Sequence, residues 1–192
     1  MREGWSGDRD PLAALGAHQT ALFEAFVRAE TGTLLGFFRR LGARPSDAED
    51  LVQDTIVKLF RSAQGYQASD RFEAYVFRTA RNVWIDSRRR ASVRERAAGG
   101  SAEDCDEPTE TIRGKEPEPF ERLELSERSA LLDEAVQRLD EAHRVVFELG
   151  VLQELSYAEV SQLIGIPVGT VKSRVHTAVR KLREMLGSEG VA

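Results

Sequence analysis

The sequence predicts an all-α protein: two small helical domains joined by a flexible acidic linker, the C-terminal one containing a helix-turn-helix. Three observations carry this. Apolar residues recur at helical rather than alternating spacing, and aromatic content is low. Ser, Asp, Gly and Pro stand where helices would start and stop. Charge and composition change abruptly in the middle of the chain. A length of 192 residues with 41% hydrophobic content suffices for one domain or two small ones with real cores.

Residues 1–17 are expected to form a disordered tail, in which Trp5 has no evident partner. The first domain, residues 18–98, opens with Leu22, Phe23 and Phe26 marking one helix. Leu34, Leu35, Phe38 and Leu41 mark a second, closed by Gly42. Ser46-Asp-Ala-Glu49 has the form of a capping box, in which hydroxyl and carboxylate each satisfy an orphan amide of the first turn. The helix it opens would bury Ala48, Leu51, Val52, Thr55, Ile56, Leu59 and Phe60 and expose Asp47, Glu49, Asp50, Gln53, Asp54 and Lys58. Acids in a first turn suit the helix dipole, so Asp47 and Glu49 are equally explained by capping. Asp50 and Asp54 lie four apart and repel, a local cost that makes sense if a basic partner meets them.

After a polar loop, Ser62 to Asp70, a helix from about Phe72 to Arg89 would bury Phe72, Tyr75, Val76, Thr79, Ala80 and Val83. It would present Arg78, Arg81, Asn82, Ile85 and Arg89. Between Arg71 and Arg96 eight arginines stand against three acids, enough to attract phosphate. Cations, an amide and nearby aromatics suit single-stranded DNA, whose bases need stacking platforms, and Tyr66 in the preceding loop belongs to that set. Tyr75 and Trp84 are better explained as core, because aromatics at helical spacing pack inward, and the arginines at 88 to 90 are also consistent with a solvated helix end.

Residues 99–125 are a different polymer. Nine acids stand against three bases among Gly99, Gly100, Pro108, Gly114, Pro117 and Pro119, with little apolar surface to offset ordering entropy. This is the linker.

The second domain, residues 126–187, ends in the helix-turn-helix. Ser156 with Glu159 forms a capping box, Gly165 closes the first helix in the left-handed conformation, and Pro167 starts the next. Val168, Val171, Val175, Ala178, Val179, Leu182 and Leu186 make its inward face. The opposite face centres on Gly169, Ser173, His176 and Arg180, with Lys172, Thr177 and Arg183 at the flanks and Thr170 in the first turn. Small, polar and basic side chains thus occupy the half of a recognition helix that meets base edges. Lys172 and Ser173 lead the candidates, while Arg174 falls nearer the apolar side.

Other chemistry is poorly supported. Cys105 is the lone cysteine, which excludes an intramolecular disulfide framework and fits a reducing cytoplasm. His18, His143 and His176 are scattered, and no phosphate loop or nucleophile-base pairing appears, so no enzyme, metal or cofactor is expected. The first ten residues lack the apolar core of a signal peptide and no stretch is long enough to span a bilayer, so a soluble cytoplasmic protein is expected.

Three segments together, Asp47-Ala-Glu-Asp-Leu-Val-Gln-Asp54, Phe72 through Asn82 to Arg90, and Leu155 through Lys172 to Arg174, resemble the bacterial sigma factors of the extracytoplasmic-function type. The likeness runs from roughly residue 20 to 186, with the motifs in the family's order. It implies that the helix at Asp47 binds the clamp helices of the beta-prime subunit of core RNA polymerase, giving Asp50, Gln53 and Asp54 their basic partner. It implies that the helix through Asn82 and the loop holding Tyr66 open and read the minus-ten element of promoter DNA, where a base flips into a pocket, with Arg78, Arg81, Arg88 and Arg89 nearby. The helix-turn-helix then reads the minus-thirty-five element, and the linker threads the polymerase's RNA exit path. An anti-sigma factor is a common further partner in the family.

The chain departs from the family pattern in three places. Asp140 stands where proline is common, and as a good N-cap it should still start the helix holding Val145, Val146 and Phe147. Thr177 replaces a common arginine, removing one DNA cation. Gln153-Glu154 replaces a usual Glu-Gly, so the turn into the helix-turn-helix should differ. A helix-turn-helix regulator of another class is the alternative, but its partner domain would be an α/β receiver or a ligand-binding sheet, which residues 1–98 do not suggest. A helical adaptor would explain the acidic helix and not the basic reader.

Overall fold

The computed structural model describes residues 10–68, 71–97 and 130–188. The described residues form helices and turns without strands, in two compact units. The expected linker, together with residues 1–9, lies outside the described residues.

The first unit holds α1 (Pro11–Gly16), α2 (Thr20–Arg40), α3 (Pro45–Ser62), a 3-10 turn (Ala63–Gly65) and α4 (Phe72–Ala97). Residues 10–17, expected to belong to a disordered tail, instead hold α1 and its caps. Asp10 caps α1 by accepting from the amides of Leu12 and Ala13, Pro11 occupies the first helical position, and Leu12 and Leu15 are buried. Two expected helices between residues 20 and 40 are one. Gly32 costs about 1 kcal/mol in a helix interior, but Phe23, Phe26, Leu34, Phe37 and Phe38 fall on one buried face and carry the helix through it. It ends where expected, with Gly42 at φ 99°.

The rings of α2 interlock with those of α4. Phe26 meets Phe72 edge-on at 4.8 Å, and Phe37 lies 5.4 Å from Phe77. Phe77, absent from the expected stripe, is a core residue, as are Val76, Ala80, Val83 and Trp84. Truncating such a buried Phe to Ala costs about 3–5 kcal/mol.

Helix α3 starts two residues earlier than a Ser46 cap would set, and without the capping box. Pro45 takes the first helical position, Arg44 is the N-cap with no side-chain cap bond, and Asp47 instead pairs with the Arg44 guanidinium at 2.9 Å. Ala48, Leu51, Val52, Thr55 and Leu59 are buried as expected. Phe60 is not, at 55% exposure, because it lies a full 100° step beyond Leu59.

The second unit contains a helix over 130–137 (α5), α6 (Glu141–Phe147) widening into a π-helical turn (Glu148–Leu152), α7 (Tyr157–Ile164) and α8 (Val168–Ser188). Ala135, Val136, Leu139, Phe147, Ala178 and Leu182 make its core. Asp140 is the N-cap of α6, accepting from the His143 amide at 3.2 Å. Arg144 donates to the Leu139 carbonyl at 2.7 Å and so satisfies backbone just beyond α5.

Candidate nucleic-acid and partner interfaces

The α7–turn–α8 segment is built as its sequence demands. The Ser156 hydroxyl accepts from the Glu159 amide at 3.3 Å while a Glu159 oxygen accepts from the Ser156 amide at 2.7 Å. Gly165 sits at φ 71° and closes α7. The Ser161 hydroxyl donates to the Ile166 carbonyl at 2.6 Å and tightens the turn, a contribution the sequence did not announce.

In α8 Val171, Val175, Ala178 and Leu182 are buried, and Gly169, Lys172, Ser173, His176 and Arg180 are exposed. Thr170 and Thr177 are half-buried at the edges of that strip, and Arg174 is half-buried on the other side. Val168, expected inside, is the first residue of α8 and is 47% exposed. The Ser173 hydroxyl donates to the Thr170 carbonyl at 3.0 Å and Arg180 pairs with Glu184 at 3.1 Å. On the flank of α8, Lys181 reaches Asp140 at 2.8 Å and ties α8 to the start of α6. Lys181 first, and then His143 at 2.6 Å, hold the Asp140 carboxyl well below the usual carboxylate range. His143 is thus a capping-turn residue, as its position after Asp140 suggests.

The first unit presents two neighbouring surfaces. On α3 Glu49, Asp50, Gln53, Asp54 and Lys58 are exposed and Asp47 half-exposed. Val57, 44% exposed, and Phe60 add an apolar margin that periodicity did not assign. On α4 Arg78, Asn82, Arg88 and Arg89 are exposed and Arg81 half-buried. The Arg78 guanidinium lies 5.0 Å from the centre of the Tyr75 ring, and that ring meets Tyr66 edge-on at 4.8 Å. Asn82 lines a shallow open depression with Lys58, Thr79, Ile85 and Asp86. Arg88 lies 5.6 Å from the centre of the Trp84 ring. Trp84 itself is buried, so it serves the core rather than a stacking platform.

These surfaces are joined by ion pairs that a one-helix reading misses. Lys58 meets Asp86 at 3.2 Å and Arg90 approaches Asp54 at 3.9 Å. Cations and acids assigned to separate partners are therefore neighbours across the α3–α4 groove. Among the described residues no helix is long and apolar enough to cross a membrane.

Residues 26–94 match the family described as Sigma-70 region 2, and residues 129–182 match Sigma-70, region 4. The ECF RNA polymerase sigma factor SigL of Mycobacterium tuberculosis is 31% identical over 181 residues, covering 94% of this chain and 97% of SigL. The chain belongs to the ECF RNA polymerase sigma factors. SigE of Mycolicibacterium smegmatis is 32% identical over 165 residues, 85% of this chain, which spans 61% of that longer relative. Among solved structures, the sigma factor RpoE of Bartonella quintana, crystallised with the anti-sigma factor NepR, is 25% identical with a TM-score of 0.63, covering 86% of this chain and 96% of that one.

A sigma factor of this type directs promoter-specific transcription by RNA polymerase, and the family is a non-enzymatic initiation factor. A regulator of another helix-turn-helix class is set aside, because the first domain matches region 2 as well as the second matching region 4. The α3 and α4 candidates fall inside the first match, and Gly169 to Arg180 inside the second.

Proposed function

We propose that three surfaces of this ECF sigma factor divide the work of initiation. The exposed face of α3, comprising Asp47, Glu49, Asp50, Gln53, Asp54 and Lys58, docks on the basic beta-prime clamp helices of core RNA polymerase. The loop and helix bearing Tyr66, Arg78, Arg81, Asn82, Arg88 and Arg89 hold the opened minus-ten strand: cations for phosphates, Tyr66 for stacking, the Asn82 amide in its depression for a flipped base. The strip Gly169, Thr170, Lys172, Ser173, His176, Thr177 and Arg180 enters the major groove at the minus-thirty-five element. The acidic stretch 99–125 lies along the polymerase's RNA path, where its charge imitates RNA.

The observation that carries this reading is the clean division of α8 into a buried apolar face and an exposed face of small, polar and basic side chains, behind a turn closed by Gly165. Affinity is shared among the surfaces, so weak individual contacts become effective when polymerase holds all three together. The chain performs no catalysis itself and works in the cytoplasm. An anti-sigma factor is included among its partners on the example of RpoE with NepR.

Reconstituted transcription tests the whole. Purified chain and core polymerase on a genomic fragment library should yield start sites downstream of a shared pair of elements. Failure to associate with core polymerase, or to initiate on any fragment, overturns the reading.

A further inference from the structure

Helix α1 lies ahead of the region 2 match, which begins at residue 26, and the functional reading above gives it no task. Its attachment is specific nonetheless. Leu12 is fully buried, and α1 packs on the turn Ala63–Gly65 and on α3. At Gly16 an added Cβ would stand 3.0 Å from the Ala63 carbonyl oxygen, so a larger residue there pushes α1 off the turn. That turn leads directly into Tyr66.

Asp10 joins the two segments with one carboxylate. Its Oδ1 accepts from the amides of Leu12 at 2.9 Å and Ala13 at 3.1 Å, starting α1. Its Oδ2 accepts from the Tyr66 hydroxyl at 2.7 Å. The Tyr66 ring then meets Tyr75 at 4.8 Å, and Arg78 lies 5.0 Å from the Tyr75 centroid. A continuous set of contacts runs from the N-cap of α1 to the surface assigned to minus-ten DNA.

We propose that Asp10 is a positioning residue for minus-ten reading, acting through the Tyr66 hydroxyl; this rests on the minus-ten assignment above. A half-buried tyrosine at the end of a loop explores several rotamers unless its tip is fixed. A charge-assisted bond to a helix cap fixes it, so an unpaired base meets a ring already in place. Without the anchor the competent rotamer is populated only part of the time, and binding weakens by that fraction. α1 thereby supports Tyr66 as well as covering the core.

Two conservative variants isolate the bond. Asp10→Ser keeps a good N-cap and cannot span to Tyr66, and Tyr66→Phe keeps the ring and loses the donor. Full-length variants bound to core polymerase are tested on a promoter fragment recovered in the reconstitution, beside versions substituted base by base in the minus-ten element. The readout is the ratio of affinities for selected and substituted elements, because general loosening of the fold weakens all fragments alike.

Each single variant should lower that ratio about three- to tenfold. The double variant should be no worse than either, as for two partners in one contact. Gly16→Val, which displaces α1 without touching either partner, should give the same loss. Wild-type discrimination in Asp10→Ser, or losses that add, overturns the proposal. Tyr66→Ala separates the two levels. If it abolishes discrimination while Asp10→Ser does not, only the role of Asp10 is lost; if it too has no effect, the minus-ten assignment of this loop falls, and the proposal with it.

Discussion

In α8 the exposed side chains of Lys172 and His176 make no ion pair among the described residues, and the Ser173 hydroxyl bonds only to its own helix. Along α3 and α4 the exposed charges are instead tied across the groove, Lys58 to Asp86 and Asp54 to Arg90. The difference teaches what helical periodicity can resolve. It identifies the outward face of a single helix, and for α8 that nearly exhausts the question. Where two helices share a border, the neighbour decides whether a charge is held in place or left to a partner.

The sharpest way to break the comparison is charge reversal on α3. Asp50→Arg with Asp54→Arg should reduce association with core polymerase at least about a hundredfold, since like charge would meet the proposed basic partner. Helix content by circular dichroism should be unchanged, because both side chains are exposed. The single variants sharpen the point. Asp50→Arg should affect core binding alone, whereas Asp54→Arg also repels Arg90 and should disturb DNA binding as well. Co-purification of the double variant at wild-type levels would remove the α3 assignment.

At Lys172 and Ser173, which no ion pair ties to a second helix among the described residues, effects should be confined to one element. Lys172→Ala with Ser173→Ala should lower transcription from a promoter with an intact upstream element about tenfold, the loss of one or two base contacts. On a promoter whose upstream element is scrambled, variant and wild type should give equal output, and core association should not change. Undiminished output on the intact promoter would place base reading elsewhere on the helix.

Legibility followed the same line. Apart from Val168 and the Ser161 hydroxyl, the α7–turn–α8 motif was readable, because its determinants are local: a capping pair three residues apart, a glycine at positive φ, one buried stripe. Errors arose where local signals competed with distant packing. Two helices were expected between residues 20 and 40, and the buried aromatic residues on either side of Gly32 carry a single one through it. Ser46 looked like a cap, yet Pro45 had already fixed the helix start. Phe60 was assigned to the buried stripe with Leu59, although its angle from Leu59 places it outside. For α1 the signal existed: Asp10-Pro11 before Leu-Ala-Ala-Leu is a helix start, overshadowed by the polar residues ahead of it. The Asp10–Tyr66 contact had no such signal, because 56 residues separate the partners.

The smallest expected effect lies at the entrance to the helix-turn-helix, where sequence and structure agree that something unusual occurs. Glu154 stands where the family often has glycine, and its backbone adopts φ 56°, a region where a side chain is strained. Next to it Gln153 is buried and donates from Nε2 to Glu148 Oε1 at 2.9 Å, so the preceding residue is held and the turn cannot relax by rotating out. Glu154→Gly should therefore stabilise the chain by about 0.5–1 kcal/mol, the relief of left-handed strain less the added freedom of glycine when unfolded. Urea unfolding of the full chain should show a higher midpoint with an unchanged slope. Glu154→Ala is the control, because alanine keeps the strain while removing the carboxylate. Equal gains from Ala and Gly would mean that the charge, and not the backbone, is what this turn tolerates poorly.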